Sequence, residues 1–150
     1  MQFRKATRKD VAAIVRLLAD DELGAQRETV SEPLPQQYYT AFDRIDVDPY
    51  QELVVVEDGN GQLIGTLQLS HIQYLSYQGG SRMQIESVHI ASGSRGQGIG
   101  KQLFTWAINR AREKGARLVQ LTTDKRRPDA KRFYERLGFK ASHEGMKLHL

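Results

Sequence analysis

The sequence predicts an α/β protein with a mixed, mostly antiparallel twisted sheet flanked by helices. Three observations lead there. The runs "ELVVVED" and "LIGTLQLSHI" enclose "GNGQ", and a glycine-rich turn between two β-rich runs makes an antiparallel hairpin. The strand "SRMQIESVHI" leads through a glycine loop into an amphipathic helix and on to "RLVQLTT". Such a strand–helix–strand passage crosses over right-handed and sets its two strands parallel. Val11, Ile14, Val15 and Leu18 recur at helical spacing, so helices accompany the sheet.

The elements follow in order. "FRKA" reads as a first strand. Thr7 then precedes a helical pattern with Asp10 as the acid of a weak capping box, and Gly24 is the expected terminator. "GAQRETVSEPLP" is a loop, and a second helix is expected from Gln36 to Ile45. The hairpin, the connection "YLSYQGG" and the strand from Ser81 to Ile90 come next. A helix near Lys101–Lys114 turns Leu103, Phe104, Ala107, Ile108 and Ala111 inward and stops at Gly115. After "RLVQLTT", a helix with Pro128 near its start ends at Gly138. "KASHEGMKLHL" is expected to hold one or two short strands.

With 150 residues, a single domain over 1–150 is expected. A 39% hydrophobic and 27% charged composition is that of a globular protein. The absence of cysteine excludes disulfides and thiolate chemistry. No apolar run approaches the roughly 20 residues of a membrane span, and "MQFRKATRKD" carries charge where a signal peptide is apolar. A cytoplasmic location is the expectation. The four histidines show no metal-ligand spacing, so no metal is expected.

The net charge of +4 is uneven: acids gather in the first sixty residues, whereas Arg95 to Arg136 is rich in lysine and arginine. A basic half with a pI of about 9.4 suits a polyanion, either a phosphorylated cofactor or nucleic acid; solvated helix faces have the same composition.

The stretch "VHIASGSRGQGIGKQ" narrows the choice. Counted from Gly96 and Gly98, the third glycine of a dinucleotide fingerprint falls on Lys101. In the phosphate loop of nucleotide hydrolases, Arg95 would replace the first glycine and Gln102 the magnesium-binding hydroxyl residue. Arg95, Gly98 and Gly100 do fill the pattern R/Q-x-x-G-x-G/A. Successive amides from Gly96 to Lys101 can then face one concavity at the positive end of a helix and hold a diphosphate without a metal.

That loop resembles the acetyl-coenzyme A loop of the GNAT superfamily of N-acetyltransferases. "AKRFYERLGF", with Ala130, Tyr134, Gly138 and Phe139 in place, is similar to the family's late helix. The two signatures and the element order extend the resemblance over nearly the whole chain. It implies the GNAT fold, acetyl-CoA as donor, and acetyl transfer to a primary amine of a small molecule, protein lysine or N-terminus by direct attack on the thioester. Many members carry Asn where this chain has Arg127, which either meets a cofactor phosphate or faces water.

Residue by residue, the resemblance implies a cofactor site of Val88, His89, Ile90, Arg95, Gly96, Gln97, Gly98, Ile99, Gly100, Lys101 and Arg127. A backbone amide near Ile90 would polarise the thioester, and Tyr134 would be the general acid. Glu86 is the expected base, water-orienting group or amine binder, since alternation puts Gln84, Glu86 and Val88 on one strand face and His89 on the other. The acceptor would meet Glu22, Arg27, Glu28, Tyr38 and His143, in a region whose acid excess suits an amine. A homodimer is a further expectation, as families of this kind often pair. Two other readings stand beside this one: a basic nucleic-acid-binding module, for which stacking aromatics are missing, and a catalytically silent acetyl-CoA sensor. Neither membrane nor nucleic acid is an expected partner.

Overall fold

In the computed structural model, which describes residues 1–150, five strands form one sheet in chain order. They are β1 (Gln2–Lys5), β2 (Gln51–Glu57), β3 (Leu63–Gln73), β4 (Ser81–Ile90) and β5 (Leu118–Gln120). The first four are antiparallel, and β5 lies parallel to β4, as the crossover requires. The helices are α1 (Val11–Leu18), α2 (Glu22–Ala25), α3 (Gln36–Val47), the single turn α4 (Ser76–Gly79), α5 (Ile99–Glu113) and α6 (Pro128–Arg136).

Each sheet face buries its own apolar set. On one, Val54, Val56, Leu67, Leu69, Met83 and Ile85 meet Leu103, Phe104, Ala107 and Ala111 of α5. Phe104 is wholly buried and stacks its edges against Phe133, Tyr134 and Phe139, which ties α6 to this layer. Removing such a ring from water is worth about 1.5–3 kcal/mol. On the other face, Val55 meets Val11, Ile14 and Val15 of α1 and Phe42 of α3. Asp10 anchors the entry to α1, accepting from the Thr7 amide at 2.7 Å and pairing with Arg4 at 2.7 Å.

Three expectations are corrected. Gly24 does not terminate α1, which stops at Leu18; it lies inside α2, where a Cβ would come within 1.9 Å of the Leu18 carbonyl oxygen. The glycine is there for close approach, and Asp21 starts α2 by accepting from the Gly24 amide at 2.7 Å. The strand expected through "RLVQLTT" is only three residues long, because pairing stops at Gln84↔Gln120. Residues 140–150 contain no strand; alternation yields one only where an edge accepts its backbone hydrogen bonds, and the backbone of this segment bonds to no strand.

Candidate active site

A single residue in β4 sets the geometry. Ser87 has φ +53°, and the pairing with β3 slips between Gln68↔Glu86 and Thr66↔His89. This is a β-bulge, which inserts one residue and inverts the alternation beyond it. Directly paired residues share a face, so the rows Leu53–Gln68–Glu86 and Val55–Thr66–His89 lie together on the α1 side. The expected division of β4 is therefore corrected: His89 shares a face with Glu86, and Val88 packs with Ile90 in the α5 layer. The irregularity also falls at Ser87, ahead of Ile90, which still pairs with Gly65.

β4 runs six residues past its last pairing with β5. From Ile85 to Ile90 its outer edge has no strand beside it, and the glycine loop follows directly after this unpaired stretch. The amides of Gly96, Gln97, Gly98, Ile99, Gly100 and Lys101 donate to no protein acceptor, and the first intrahelical bond is Gln102 N–H to Gly98 carbonyl at 3.2 Å. Four free amides belong to any helix start; the loop adds more. Gly96 (φ +77°) and Gly98 (φ +76°) adopt the left-handed conformation, and a Cβ on either would point into open space. Gly100 differs, for its Cβ would lie 3.4 Å from the Phe133 ring, so it lets α5 close on α6.

The other loop residues divide similarly. Ile99 buries its side chain and offers only its amide. Gln97 closes the loop by donating to the Gly93 carbonyl at 3.2 Å. Arg95 folds back, its Nε donating to the Ile90 carbonyl at 3.0 Å, while Lys101 is exposed. Tyr134 stands on α6 among Phe104, Phe133 and Phe139. Burial pushes its phenol above the ordinary value of 10, with Arg127 pulling the other way; a proton is held there throughout the neutral range.

Glu86 is exposed and is oriented by a line of amides. Gln84 donates to it at 2.8 Å, Gln120 donates to Gln84 at 2.7 Å, and Arg82 donates to Gln120 at 3.2 Å. Gln51, Ser70, Gln84 and Gln120 make one cross-strand row, a polar floor on the α1 face. Sequence reading missed this row; the available signal was a polar residue at every second position of otherwise apolar strands.

The α1–α2 turn walls this face. Asp20 accepts from the Ser92 amide at 2.6 Å and has Arg95 3.6 Å away. Asp21 pairs with Arg127 at 2.8 Å, and its oxygen lies 3.4 Å from His89 Nε2. Burial alone would raise the Asp21 carboxyl; the Gly24 amide, Arg127 and His89 outweigh it and hold it below its ordinary value. Burial lowers the pKa of the His89 imidazole, whose two nitrogens have no hydrogen-bond partner, and Asp21 opposes this only in part.

The expected acceptor residues are not all brought together. Tyr38 donates to Glu28 at 2.8 Å and accepts from the Thr29 amide at 2.9 Å, a closed cluster in which burial and Glu28 raise the phenol. Arg27 lies 3.6 Å from Asp124. Glu22 is exposed at the start of α2, and exposed His143 bonds only its neighbour Ser142 at 2.8 Å. Part of the basic run is taken up internally, with Arg126 on Asp124 at 2.7 Å and Arg127 on Asp21. No group of three or more His, Asp and Glu residues is arranged to hold a metal, and no helix is long and apolar enough to cross a membrane.

A glycine loop opening a helix beside a bulged strand with an unpaired edge is the arrangement expected of an acyltransferase. Residues 12–139 match the model of the acetyltransferase (GNAT) family, and the chain belongs to that family: it is an acetyltransferase. It is 31% identical to the aminoalkylphosphonate N-acetyltransferase of Salmonella typhimurium over 95% of this chain and 86% of that one. A crystal structure from Bacillus halodurans, described as a transcriptional regulator, superposes with a TM-score of 0.96 at 53% identity, covering 99% of each chain. A predicted acetyltransferase of Clostridium acetobutylicum, crystallised with acetyl-CoA, shares the fold at TM-score 0.76 and 21% identity, over 99% of this chain and 95% of that one.

Proposed function

We propose that the chain is a single N-acetyltransferase domain that transfers the acetyl group of acetyl-CoA to a primary amine. The observation that carries this reading is the run of unbonded amides from Gly96 to Lys101, fronted by two glycines whose Cβ positions are open. A concavity of amide dipoles at a helix start suits a pyrophosphate. Gly96, Gln97, Gly98, Ile99, Gly100 and Lys101 would hold it through the backbone, and the edge of β4 from Val88 to Ile90 would border the pantetheine arm. Arg127, engaged by Asp21, serves the wall of the site in this reading.

Acetyl-CoA supplies the acetyl group as an activated thioester. The chain's residues do the rest. The Tyr134 hydroxyl holds the proton that the departing sulfur needs, and its raised pKa keeps that proton in place at neutral pH. The unpaired β4 edge supplies backbone N–H groups to the carbonyl. Glu86, steadied by Gln84, binds the incoming ammonium or orders the water that takes its proton. The polar floor of Gln51, Ser70, Gln84 and Gln120 receives the remainder of the acceptor. The Salmonella relative's name pairs an amine with an anionic phosphonate, so small aminoalkylphosphonates head the acceptor classes to try, ahead of amino sugars, polyamines and lysine peptides.

Calorimetry with acetyl-CoA and dephospho-CoA, followed by thiol release over that amine panel, tests the reading. Saturable acetyl-CoA binding and amine-dependent thiol release are expected. A folded protein that binds neither cofactor overturns the reading. Binding with no turnover on any amine and no effect of Tyr134→Phe would leave a sensor in its place.

A further inference from the structure

Most arginines of the chain meet a carboxylate, among them Arg4, Arg95, Arg110 and Arg127. Arg82 and Arg117 meet none. Arg82 donates to the Gln120 side chain at 3.2 Å, and Arg117 donates to the Tyr77 carbonyl. Both guanidiniums border one cavity of about 290 Å³, which Tyr77, Gly80, Ser81 and Leu118 complete and no acidic residue lines. A guanidinium carries five N–H donors, so most of theirs are free. The volume is close to the lower bound of small-ligand sites, about 300 Å³.

The backbone is bent to make this cavity. Tyr77 (φ +52°) and Gln78 (φ +60°) are consecutive left-handed residues in α4, a conformation that costs a residue with a side chain and that gathers at ligand sites. The turn aims the Tyr77 carbonyl at Arg117. It also sets the Arg82 guanidinium over two rings, 4.6 Å from the Tyr74 centroid and 5.0 Å from that of Tyr77. Gly80 permits the close approach, since a Cβ there would lie 3.0 Å from Arg117 Cδ. Both cations are thus positioned before any ligand arrives, which lowers the ordering cost of binding. Tyr77 and Leu118 stay 61% and 40% exposed, so apolar surface flanks the charge.

Arg82 also begins the line that ends on Glu86. An arginine only donates and a carboxylate only accepts. The two glutamines between them therefore have one orientation, each oxygen toward Arg82 and each nitrogen toward Glu86. Arg82 and Glu86 share a sheet face, four residues or about 13 Å apart along β4.

We propose that this cavity binds an organic oxyanion, a carboxylate or phosphonate on an apolar body, away from the reacting end of the acceptor. The two guanidiniums take the oxyanion, and the Tyr77 ring and Leu118 take the body. The separation from Glu86 is too great for both ends of a short aminoalkylphosphonate. The oxyanion therefore belongs either to a separate small molecule or to the far end of a long acceptor. Only the second source rests on the proposed activity.

Octanoate is titrated into the wild-type protein without acetyl-CoA, followed by calorimetry and amide NMR. Arg82→Gln, Arg117→Gln, Tyr77→Gly and Arg112→Gln are compared with it, and circular dichroism and thermal melting confirm folding. Tyr77→Gly keeps a backbone that glycine adopts without strain, and Arg112, exposed on α5, controls for unspecific attraction. Saturable binding is expected, with amide shifts at Gly80–Arg82 and Arg117–Leu118. Affinity should fall by about tenfold or more in either cavity arginine variant, by a smaller factor in Tyr77→Gly, and not at all in Arg112→Gln. No saturable binding, shifts confined to Gly96–Lys101, or undiminished affinity in folded Arg117→Gln would each overturn the proposal. With the cavity established, 8-aminooctanoate separates the sources. Tighter binding than octanoate, with the gain removed by Glu86→Gln, supports a long acceptor; equal binding supports a separate anion. Every readout is of binding without the acetyl donor, so a failure of the proposed activity leaves it standing.

Discussion

The two halves of the site are built from different material. The loop from Ser92 to Lys101 presents backbone: its amides from Gly96 to Lys101 are free, and the side chains of Arg95, Gln97 and Ile99 fold back, close the loop or bury. The acceptor side presents side chains gathered from β2, β3, β4, β5 and the α1–α2 turn. Backbone chemistry needs only glycines at the right spacing, so one short stretch of sequence announces it. Side-chain chemistry depends on register, and register is a property of the whole sheet. The glycine half is therefore generic and the glutamine half particular.

The sharpest way to break this contrast is Gly98→Trp. A side chain at φ +76° costs about 1–2 kcal/mol in backbone strain and projects in front of the free amides. Acetyl-CoA affinity should fall by at least about 100-fold while the far-ultraviolet spectrum is unchanged; unaltered calorimetric affinity would show that the loop does not hold the donor. Next in size, Tyr134→Phe should lower kcat by about 10²–10⁴ with little change in acetyl-CoA affinity. Because the phenol is raised above 10, wild-type kcat should show no loss from Tyr134 ionisation until beyond pH 10. A kcat retained in the Phe variant would remove Tyr134 from the chemistry.

Glu86→Gln probes the other half, and a smaller loss of roughly tenfold in kcat/KM for the amine is expected, with donor affinity unchanged. A fall in donor affinity instead would merge the two halves into one site. Asp10→Asn loosens the scaffold beneath the acceptor wall. Arg4 first, then the Thr7 amide and hydroxyl, hold Asp10 at about 2 against an ordinary 3.8. Its stabilisation is thus full above pH 3.8 and fades as pH falls toward 2, so the variant should be less stable by about 1–2 kcal/mol at pH 7 and indistinguishable near pH 2 in urea titrations.

The finest probe is the His89 imidazole, followed by NMR. Burial sets its titration below 6.5, so the unfolded chain gains its proton first and stability drops as pH falls below that value. Arg127→Ala should move the titration up and Asp21→Asn should move it down. The reverse order would mean that the contacts of the wall differ from those described.

Much of the fold was legible because its signals are local: the hairpin turn, the strand from Ser81 to Ile90, the helix after Gly98 and the proline that opens α6. Gly24 misled because glycine marks both helix ends and close packing, and only the Leu18 carbonyl distinguishes them. Ser87 misled more. Nothing in "QIESVHI" marks a bulge, since Ser carries no conformational signal for a positive φ, yet that one residue moves Val88 to the core and His89 to the acceptor side. The one or two strands expected in "KASHEGMKLHL" are absent because the backbone of residues 140–150 bonds to no strand. Pattern shows what a segment can pair as, but not whether an edge is in reach.

The carboxylates of Asp20 and Asp21 carry a consequence for the order of events during turnover. Asp20 grips the Ser92 amide at the root of the glycine loop, and Asp21 holds Arg127 at the start of α6. The α1–α2 turn is thus fastened at two points, to the loop proposed to hold the donor and to the start of α6. Any ligand that draws the loop inward pulls the wall with it. Two sites sharing a wall are thermodynamically coupled, and each occupant changes the other's affinity by the same factor. If the loop holds the donor as proposed, the affinity for each ligand should change by one common factor when the other is bound, which calorimetry of each in the presence of the other reads.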